Sequence, residues 1–100
     1  MTAVAVLATL QADAPHAQTL RDGLVRLADE VRHEPGTELF HVTEATDRSG
    51  YFVVFERYRN EDAVTAHRTS PAMEEFRGVL RATGTRPEIV FLTPLAGVGS

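Results

Sequence analysis

This chain of 100 residues contains four short segments of strand character, and a helical stretch follows the first and the third of them. The segments are rich in apolar and β-branched side chains and comprise residues 3–10, 37–46, 51–58 and 88–93. Apolar residues recur at helical spacing between them, as Leu20, Leu24, Leu27, Ala28 and Val31 and then as Met73, Phe76, Val79 and Leu80. The order β-α-β-β-α-β predicts an α+β protein with the ferredoxin-like βαββαβ fold, in which helices cover one face of an antiparallel sheet.

Local signals mark the ends of these elements. Asp13-Ala14-Pro15 is typical of a helix start, and Pro35-Gly36 ends the same helix. Asp47-Arg48-Ser49-Gly50 has the composition of a turn between the second and third strands. Asn60 is a predicted N-cap. Ser70-Pro71 divides the second helical region in two, because the residue before a proline avoids helical geometry.

The strands are apolar on both faces, which predicts a second layer. Phe52 and Val54 lie on one face of the third strand, and Val53 and Phe55 lie on the other. Helices can cover only one of these faces. We therefore expect the open face to pack against the same face of a second copy, which gives a homodimer with two facing sheets.

Composition restricts the classes of function. The net charge is −4 and there is no basic block, which disfavours binding to nucleic acid. All ten basic residues are Arg, so the chain has no lysine that could form a Schiff base. The absence of Cys excludes disulfides and thiolate nucleophiles.

The apolar run at residues 3–10 is interpreted as a strand. No positive charge precedes it, and it is shorter than the roughly 20 residues that span a bilayer. We expect a cytoplasmic protein that does not bind membranes. The length predicts one domain over residues 1–100, with residues 94–100 as a flexible or partner-contacting tail.

The predicted hairpin of the second and third strands contains a candidate polar pair. A loop of two residues, Arg48-Ser49, and a loop of four residues give the same register, with His41 directly opposite Glu56. Opposed residues share a face with their Cβ atoms about 5 Å apart, so the carboxylate would raise the pKa of His41 and select its tautomer. An odd-length loop or a bulge would remove this pairing. The pair is either catalytic or a polar contact within a dimer interface.

His67 follows Ala63 by one helical turn, on the face that points toward the sheet. It is either a core residue bonded to backbone or a group that transfers protons. Tyr58 is likewise a core aromatic or a hydrogen-bond donor. Four further side chains are expected to form core or pocket wall: Phe40, Tyr51, Met73 and Phe76. The histidines lack a spacing such as His-x-x-x-His, so no metal site is predicted.

The segment from Phe55 to Phe76 resembles the antibiotic biosynthesis monooxygenase family, also called quinol-monooxygenase-like. The family pattern here is Glu-x-aromatic, a gap, Ala, and then His-x-x-Ser/Thr-Pro followed by an apolar residue. The matching residues are Glu56, Tyr58, Ala63, His67, Ser70, Pro71, Met73 and Phe76. The resemblance implies a dimeric α/β barrel, in which the matching histidine lines a pocket between the sheet and the helices.

The resemblance also implies a reaction, which is oxidation of a small phenol, quinol or aromatic polyketide by O2 without a cofactor. His67 would act as the base or anion stabiliser, His41 and Glu56 as a second polar couple, and Tyr58 as a hydrogen-bond donor. Two alternatives stay open. One is an isomerase of a small hydroxy-ketone, and the other is a non-catalytic dimer that binds a small hydrophobic molecule.

Overall fold

A four-stranded antiparallel sheet forms the centre of the computed structural model, which describes residues 2–98. The strands are β1 (Val4–Gln11), β2 (Thr37–Glu44), β3 (Tyr51–Tyr58) and β4 (Glu88–Leu92), in the spatial order β2-β3-β1-β4. A 3₁₀ turn, Ala14–His16, leads into α1 (Ala17–Val31), and two further helices, α2 (Glu61–Arg68) and α3 (Pro71–Thr83), precede β4. The predicted ferredoxin-like fold and the break at Pro71 are confirmed.

Side-chain caps begin both helices of the second helical region. The Asn60 side chain accepts a hydrogen bond from the backbone N–H of Ala63 at 2.9 Å, as predicted. Ser70 Oγ accepts from the backbone N–H of Met73 at 3.2 Å, and Pro71 takes the first helical position, where no N–H is needed. None of the helices within residues 2–98 has the length and hydropathy required to cross a membrane.

The core lies between the helices and one face of the sheet. Alternate residues of β1 are buried, and the same holds for Phe52 and Val54 of β3. The apolar stripe of α1 packs against them through Leu20, Leu24, Leu27 and Val31. Phe76 brings α3 into the same cluster. The periodicities of 2 in the strands and 3.6 in the helices therefore meet in one packed layer.

The other face of the sheet is apolar and half-exposed. Leu7 of β1 lies between Phe55 of β3 and Val90 of β4. Phe55 is 48% exposed, Val90 52% and Leu92 46%. Apolar side chains that adjoin across three strands form a contiguous surface, and such surfaces usually mark an interaction site.

The register of the β2–β3 hairpin differs by one residue from the predicted register. His41 pairs with Phe55, and Phe40 is the residue opposite Glu56. The Ala45 N–H donates to the Tyr51 carbonyl at 2.9 Å, so that the loop beyond this pair contains an odd number of residues, 46–50. Because side chains alternate between faces, this shift places His41 on the open face and leaves Glu56 facing the helices. The predicted pairing of His41 with Glu56 is therefore wrong.

Glu44 anchors the end of this hairpin. Its carboxylate accepts from the backbone N–H of Gly50 at 2.8 Å and from two guanidinium nitrogens of Arg21, each at 2.7 Å. A bidentate pair of this kind is directional, so it links α1 to the hairpin in one arrangement. These contacts hold the loop in the register that separates His41 from Glu56.

Candidate active site

A cavity of about 320 Å³ lies between the helix-facing side of the sheet and the three α-helices. Most of its wall is apolar and includes Val6, Leu24, Phe40, Val54, Met73 and Phe76. Ile89 and Phe91 of β4 also line it and are 55% and 56% exposed, so the cavity opens toward β4. An apolar cavity with a few polar groups is the usual form of a small-molecule site.

Strand β3 supplies one polar couple of this cavity. Glu56 and Tyr58 are two residues apart and therefore share a face. The Tyr58 hydroxyl donates a hydrogen bond to Glu56 Oε1 at 2.5 Å. Burial raises the pKa of Glu56 to about 7, and the charge of Glu34 adds to this effect, while the bond from Tyr58 opposes it. Burial also raises the pKa of Tyr58, which therefore keeps its proton and remains a donor.

The second couple joins His67 of α2 to Glu34 in the turn after α1. His67 is 5% exposed, and its Nδ1 lies 3.0 Å from Glu34 Oε1. The rings of Phe40 and Tyr58 lie beside the imidazole, with centroids at 5.5 Å and 5.3 Å. Burial lowers the pKa of His67, and Arg77 lowers it further, whereas Glu34 opposes both. The imidazole is therefore neutral near pH 7 and can accept a proton.

A close approach of two backbones brings these couples together. A Cβ atom at Gly36 would lie only 2.5 Å from Cβ of Ala63, so only glycine allows α2 to pack this closely on the chain before β2. The Arg59 N–H donates to the Gly36 carbonyl at 2.9 Å and secures the same contact. Since His67 lies one turn after Ala63 on the same face, the approach places its ring against the turn that contains Glu34.

The structure brings together most of the predicted site residues. Glu56, Tyr58 and His67 all line the cavity, as do Phe40, Met73 and Phe76. His41 is separated from them because it lies on the open face. Tyr51 also lies on that face, beside Arg48, whose guanidinium carbon is 4.3 Å from the ring centroid. The prediction that Tyr51 forms pocket wall is therefore wrong.

Sequence analysis did not identify Glu34. This residue follows α1 and precedes the Pro35-Gly36 helix stop, so local signals mark its surroundings as a turn. An acidic residue in a turn is ordinarily solvent-exposed. Glu34 and His67 are 33 residues apart in the sequence, and their contact depends on the close approach of Gly36 and Ala63. The glycine that follows Pro35 is the one sequence feature that could have indicated such an approach.

Metal-ligating side chains do not cluster in the described part of the chain. Within residues 2–98, no group of three or more His, Cys, Asp or Glu side chains is arranged to hold a metal ion. The ionisable side chains that line the cavity are Glu56, Tyr58, His67, Arg68 and Arg77, and Glu34 joins them through its contact with His67.

Fold and site together define a ferredoxin-like α+β protein with acid–base groups in an apolar pocket between the sheet and the helices. The sequence profile of the family described as antibiotic biosynthesis monooxygenase matches residues 3–79. This chain belongs to that family.

Individual relatives agree with this assignment. The candidate monooxygenase Rv0793 of Mycobacterium tuberculosis is 33% identical over 93 residues, which cover 92% of this chain and 91% of the relative. The structure of Rv0793 superimposes with a TM-score of 0.88, at 29% identity over the structural alignment, and covers 98% of this chain and 100% of its own. A candidate antibiotic biosynthesis monooxygenase of Deinococcus radiodurans gives 0.87 at 28% identity, with 97% of each chain covered.

A more distant structure shares the fold alone. SnoaB, a cofactor-independent oxygenase of Streptomyces nogalater, superimposes with a TM-score of 0.84 over 100% of both chains. The identity is only 15%, so this similarity concerns the architecture and not the site.

Proposed function

We propose that this protein is a cofactor-independent monooxygenase that oxidises a small phenol, quinol or aromatic polyketide with O2. The observation that carries the proposal is that His67, whose Nδ1 contacts Glu34, and Glu56, which accepts a hydrogen bond from Tyr58, line one largely apolar cavity. Family membership supports monooxygenation as the type of reaction. The cavity volume of about 320 Å³ lies at the lower end of the range for small-molecule sites, which favours a compact aromatic substrate.

His67 is the base of the proposed reaction. Its neutral imidazole removes the phenolic proton, and the surrounding apolar wall keeps water away from the resulting anion. The electron-rich anion transfers one electron to O2, and the two radicals recombine into a carbon-bound peroxide. The imidazolium of His67 returns its proton to the peroxide. The O–O bond then breaks, the same carbon gives up its hydrogen as a proton, and hydroxide leaves to become water, so that a carbonyl remains. One oxygen atom therefore enters the product, the other leaves as water, and the substrate supplies all the electrons.

Glu56 acts at the later step. Because burial raises its pKa to about 7, it retains a proton near neutral pH more readily than an exposed carboxyl group, so it can give a proton to the hydroxide that leaves the peroxide. Tyr58 donates its hydroxyl proton to Glu56 in a hydrogen bond and holds the carboxyl group toward the cavity. His41 takes no part in this scheme, because it lies on the opposite face of the sheet.

The proposal includes a homodimer formed through the open face of the sheet. The surface around Leu7, Phe55 and Val90 supports it, since these apolar side chains adjoin one another and remain half-exposed or partly exposed in a single chain. Two sheets that pack face to face would remove this surface from water.

The raised pKa of Glu56 also favours a second candidate, an isomerase of a small hydroxy-ketone. A carboxyl group that titrates near pH 7 and a neutral imidazole in one cavity can move a proton between two carbons of a substrate. A non-catalytic dimer would use the same cavity for binding alone. These candidates differ from the monooxygenase in consuming no oxygen.

Oxygen uptake by the purified protein, freed of metal and flavin, tests the proposal. The substrates are a panel of hydroquinones and anthrone-like phenols, and the variants are His67→Ala and, as a matched control, His33→Ala, whose side chain is exposed. We expect uptake above the protein-free rate that His67→Ala loses and His33→Ala retains. Saturable binding of the same compounds without uptake would contradict the monooxygenase and lead to tests with ketone substrates.

A further inference from the structure

Glu34 lies in the turn between α1 and β2 and contacts the polar cluster of the cavity, which consists of Glu56, Tyr58 and His67. Its side chain is only 19% exposed. Oε1 accepts a hydrogen bond from Thr37 Oγ1 at 2.8 Å and lies 3.0 Å from Nδ1 of His67, and Oε2 lies 3.3 Å from the same nitrogen.

The backbone of Glu34 is also hydrogen-bonded within this turn. The Glu34 N–H donates to the Val31 carbonyl at 2.9 Å, and the Thr37 N–H donates to the Glu34 carbonyl at 3.2 Å. The turn and the Thr37 hydroxyl therefore hold the carboxylate through contacts that do not involve the imidazole.

We propose that Glu34 is a positioning residue of this site, which holds His67 in the tautomer with the hydrogen on Nδ1 and presents the free Nε2 to the cavity. A carboxylate can only accept hydrogen bonds, so the nitrogen that faces it must carry the hydrogen. In a neutral imidazole the other nitrogen then has the lone pair that takes up a proton. This inference rests on the proposed function in that it assigns the basic atom of the proposed base.

The surroundings of Nε2 agree with this assignment. Within residues 2–98, Nδ1 is the ring nitrogen of His67 that has a hydrogen-bond partner, and no fully buried side-chain nitrogen or oxygen lacks one. Nε2 is therefore in contact with open space. Since His67 lines the cavity, that space is where a substrate hydroxyl would lie.

The charge of Glu34 acts on every titrating group of the cluster. It raises the pKa of Glu56 and of Tyr58 on β3, and it opposes the effect of burial on His67 of α2. Arg77 of α3 is the charged group that acts on His67 in the opposite sense. When Nε2 takes up a proton, Glu34 faces the resulting imidazolium and stabilises it through the retained Nδ1–H bond. Glu34 lies outside the segment from Phe55 to Phe76 that resembles the family, and it both orients His67 and favours the charged form of its imidazole.

Nitrogen-15 NMR of the histidine rings tests this assignment without any substrate. The variants are Glu34→Ala, Glu34→Gln, which keeps the shape but removes the charge, and the control Glu30→Gln, whose side chain is exposed on α1. Comparison with His67→Ala identifies the His67 signals among the four histidines.

We expect Nδ1–H to predominate in the wild type and in Glu30→Gln, and a mixture of tautomers in Glu34→Ala. We also expect His67 of Glu34→Gln to titrate at a lower pH than in the wild type, because a group that favours the imidazolium has been removed. If Glu34→Ala does not fold, as judged by circular dichroism, the titration of Glu34→Gln decides. A tautomer and a titration that are unchanged by loss of the carboxylate would overturn the proposal.

A kinetic measurement separates this inference from the proposed function. Where the wild type consumes oxygen, Glu34→Ala should lower kcat by at least about tenfold while KM stays within about twofold, since orienting the base affects the proton transfer and not substrate binding. An equal kcat for a folded Glu34→Ala and the wild type would overturn the positioning role. A wild type that consumes no oxygen would remove the monooxygenase proposal, whereas the NMR result would still decide the role of Glu34.

Discussion

Tyr58 donates a 2.5 Å hydrogen bond to Glu56, its neighbour two positions earlier on the same face of β3. Burial raises the pKa of both groups that this bond joins. The pKa of the Glu56 carboxyl group is raised to about 7, and the Tyr58 hydroxyl keeps its proton. The hydrogen bond does not offset the cost of burying the carboxylate charge. Glu56 therefore carries a proton over part of the physiological pH range.

Glu56 should make the folded protein less stable as the pH rises. Its pKa is about 7 in the fold against an ordinary 4.5, so the folded state holds the proton more tightly. Below about pH 4.5 both states are protonated, and above about pH 7 both are ionised and the full penalty applies. The difference between the two pKa values corresponds to a loss of about 3 kcal/mol of unfolding free energy between these two pH limits. Urea denaturation from pH 5 to 8 should show the wild type losing stability relative to Glu56→Gln. Parallel curves for the two proteins would show that Glu56 has an ordinary pKa in the fold.

The rate of the proposed reaction should depend on pH with two limbs. Burial lowers the pKa of His67 from its ordinary 6.5. As the pH rises past this lowered pKa the imidazole becomes neutral, so kcat/KM should increase. It should fall again near pH 7 as Glu56 loses its proton. Oxygen uptake measured from pH 5 to 9, with a substrate that does not titrate in this range, checks both limbs. In Glu56→Gln the rate should be lower and the limb near pH 7 absent. Persistence of that limb in this variant would assign it to another group.

Gly36→Ala should destabilise the protein and disturb the site. The added Cβ would lie 2.5 Å from Cβ of Ala63, so α2 must move outward, at a cost of about 1–3 kcal/mol. Gly78→Ala is the matched control. Its Cβ would meet only a side-chain atom of Arg81 at 3.8 Å, and alanine in a helix interior stabilises by about 0.5–1 kcal/mol. Chemical denaturation of both variants checks the two opposite signs. A Gly36→Ala protein as stable as the wild type would contradict the close approach.

Phe55→Arg should dissociate the proposed dimer. The side chain lies next to Leu7 in the middle of the apolar open face, where a charge would lose its hydration on association. Val25→Arg replaces a residue that is 60% exposed on α1 and should leave the assembly intact. Size-exclusion chromatography with light scattering should give twice the 11.0 kDa chain mass for the wild type and Val25→Arg, and a single chain mass for Phe55→Arg. A monomeric wild type would remove the dimer from the proposal.

The order of the elements and most of their ends could be predicted because the signals are local. Pro71 interrupts the helical region and Asn60 caps α2 through contacts within one turn. Strand alternation assigned Phe52 and Val54 to one face and Phe55 to the other, since this depends only on the pleat. The motif from Glu56 to Phe76 identified the family for the same reason, because its residues are close in the sequence.

The composition of the site was decided by tertiary structure. A hairpin loop with an even number of residues would have placed His41 opposite Glu56. The loop instead has five residues, 46–50, and is closed by the contacts of Glu44, so the register is shifted by one residue and His41 lies on the other face. The partner of His67 became Glu34 because Gly36 lets α2 approach the turn after α1. The sequence by itself determined which elements form and which residue types face inward, since these follow from neighbouring residues. Which acid meets which base depends on register and helix approach, and only the packing of distant segments sets those.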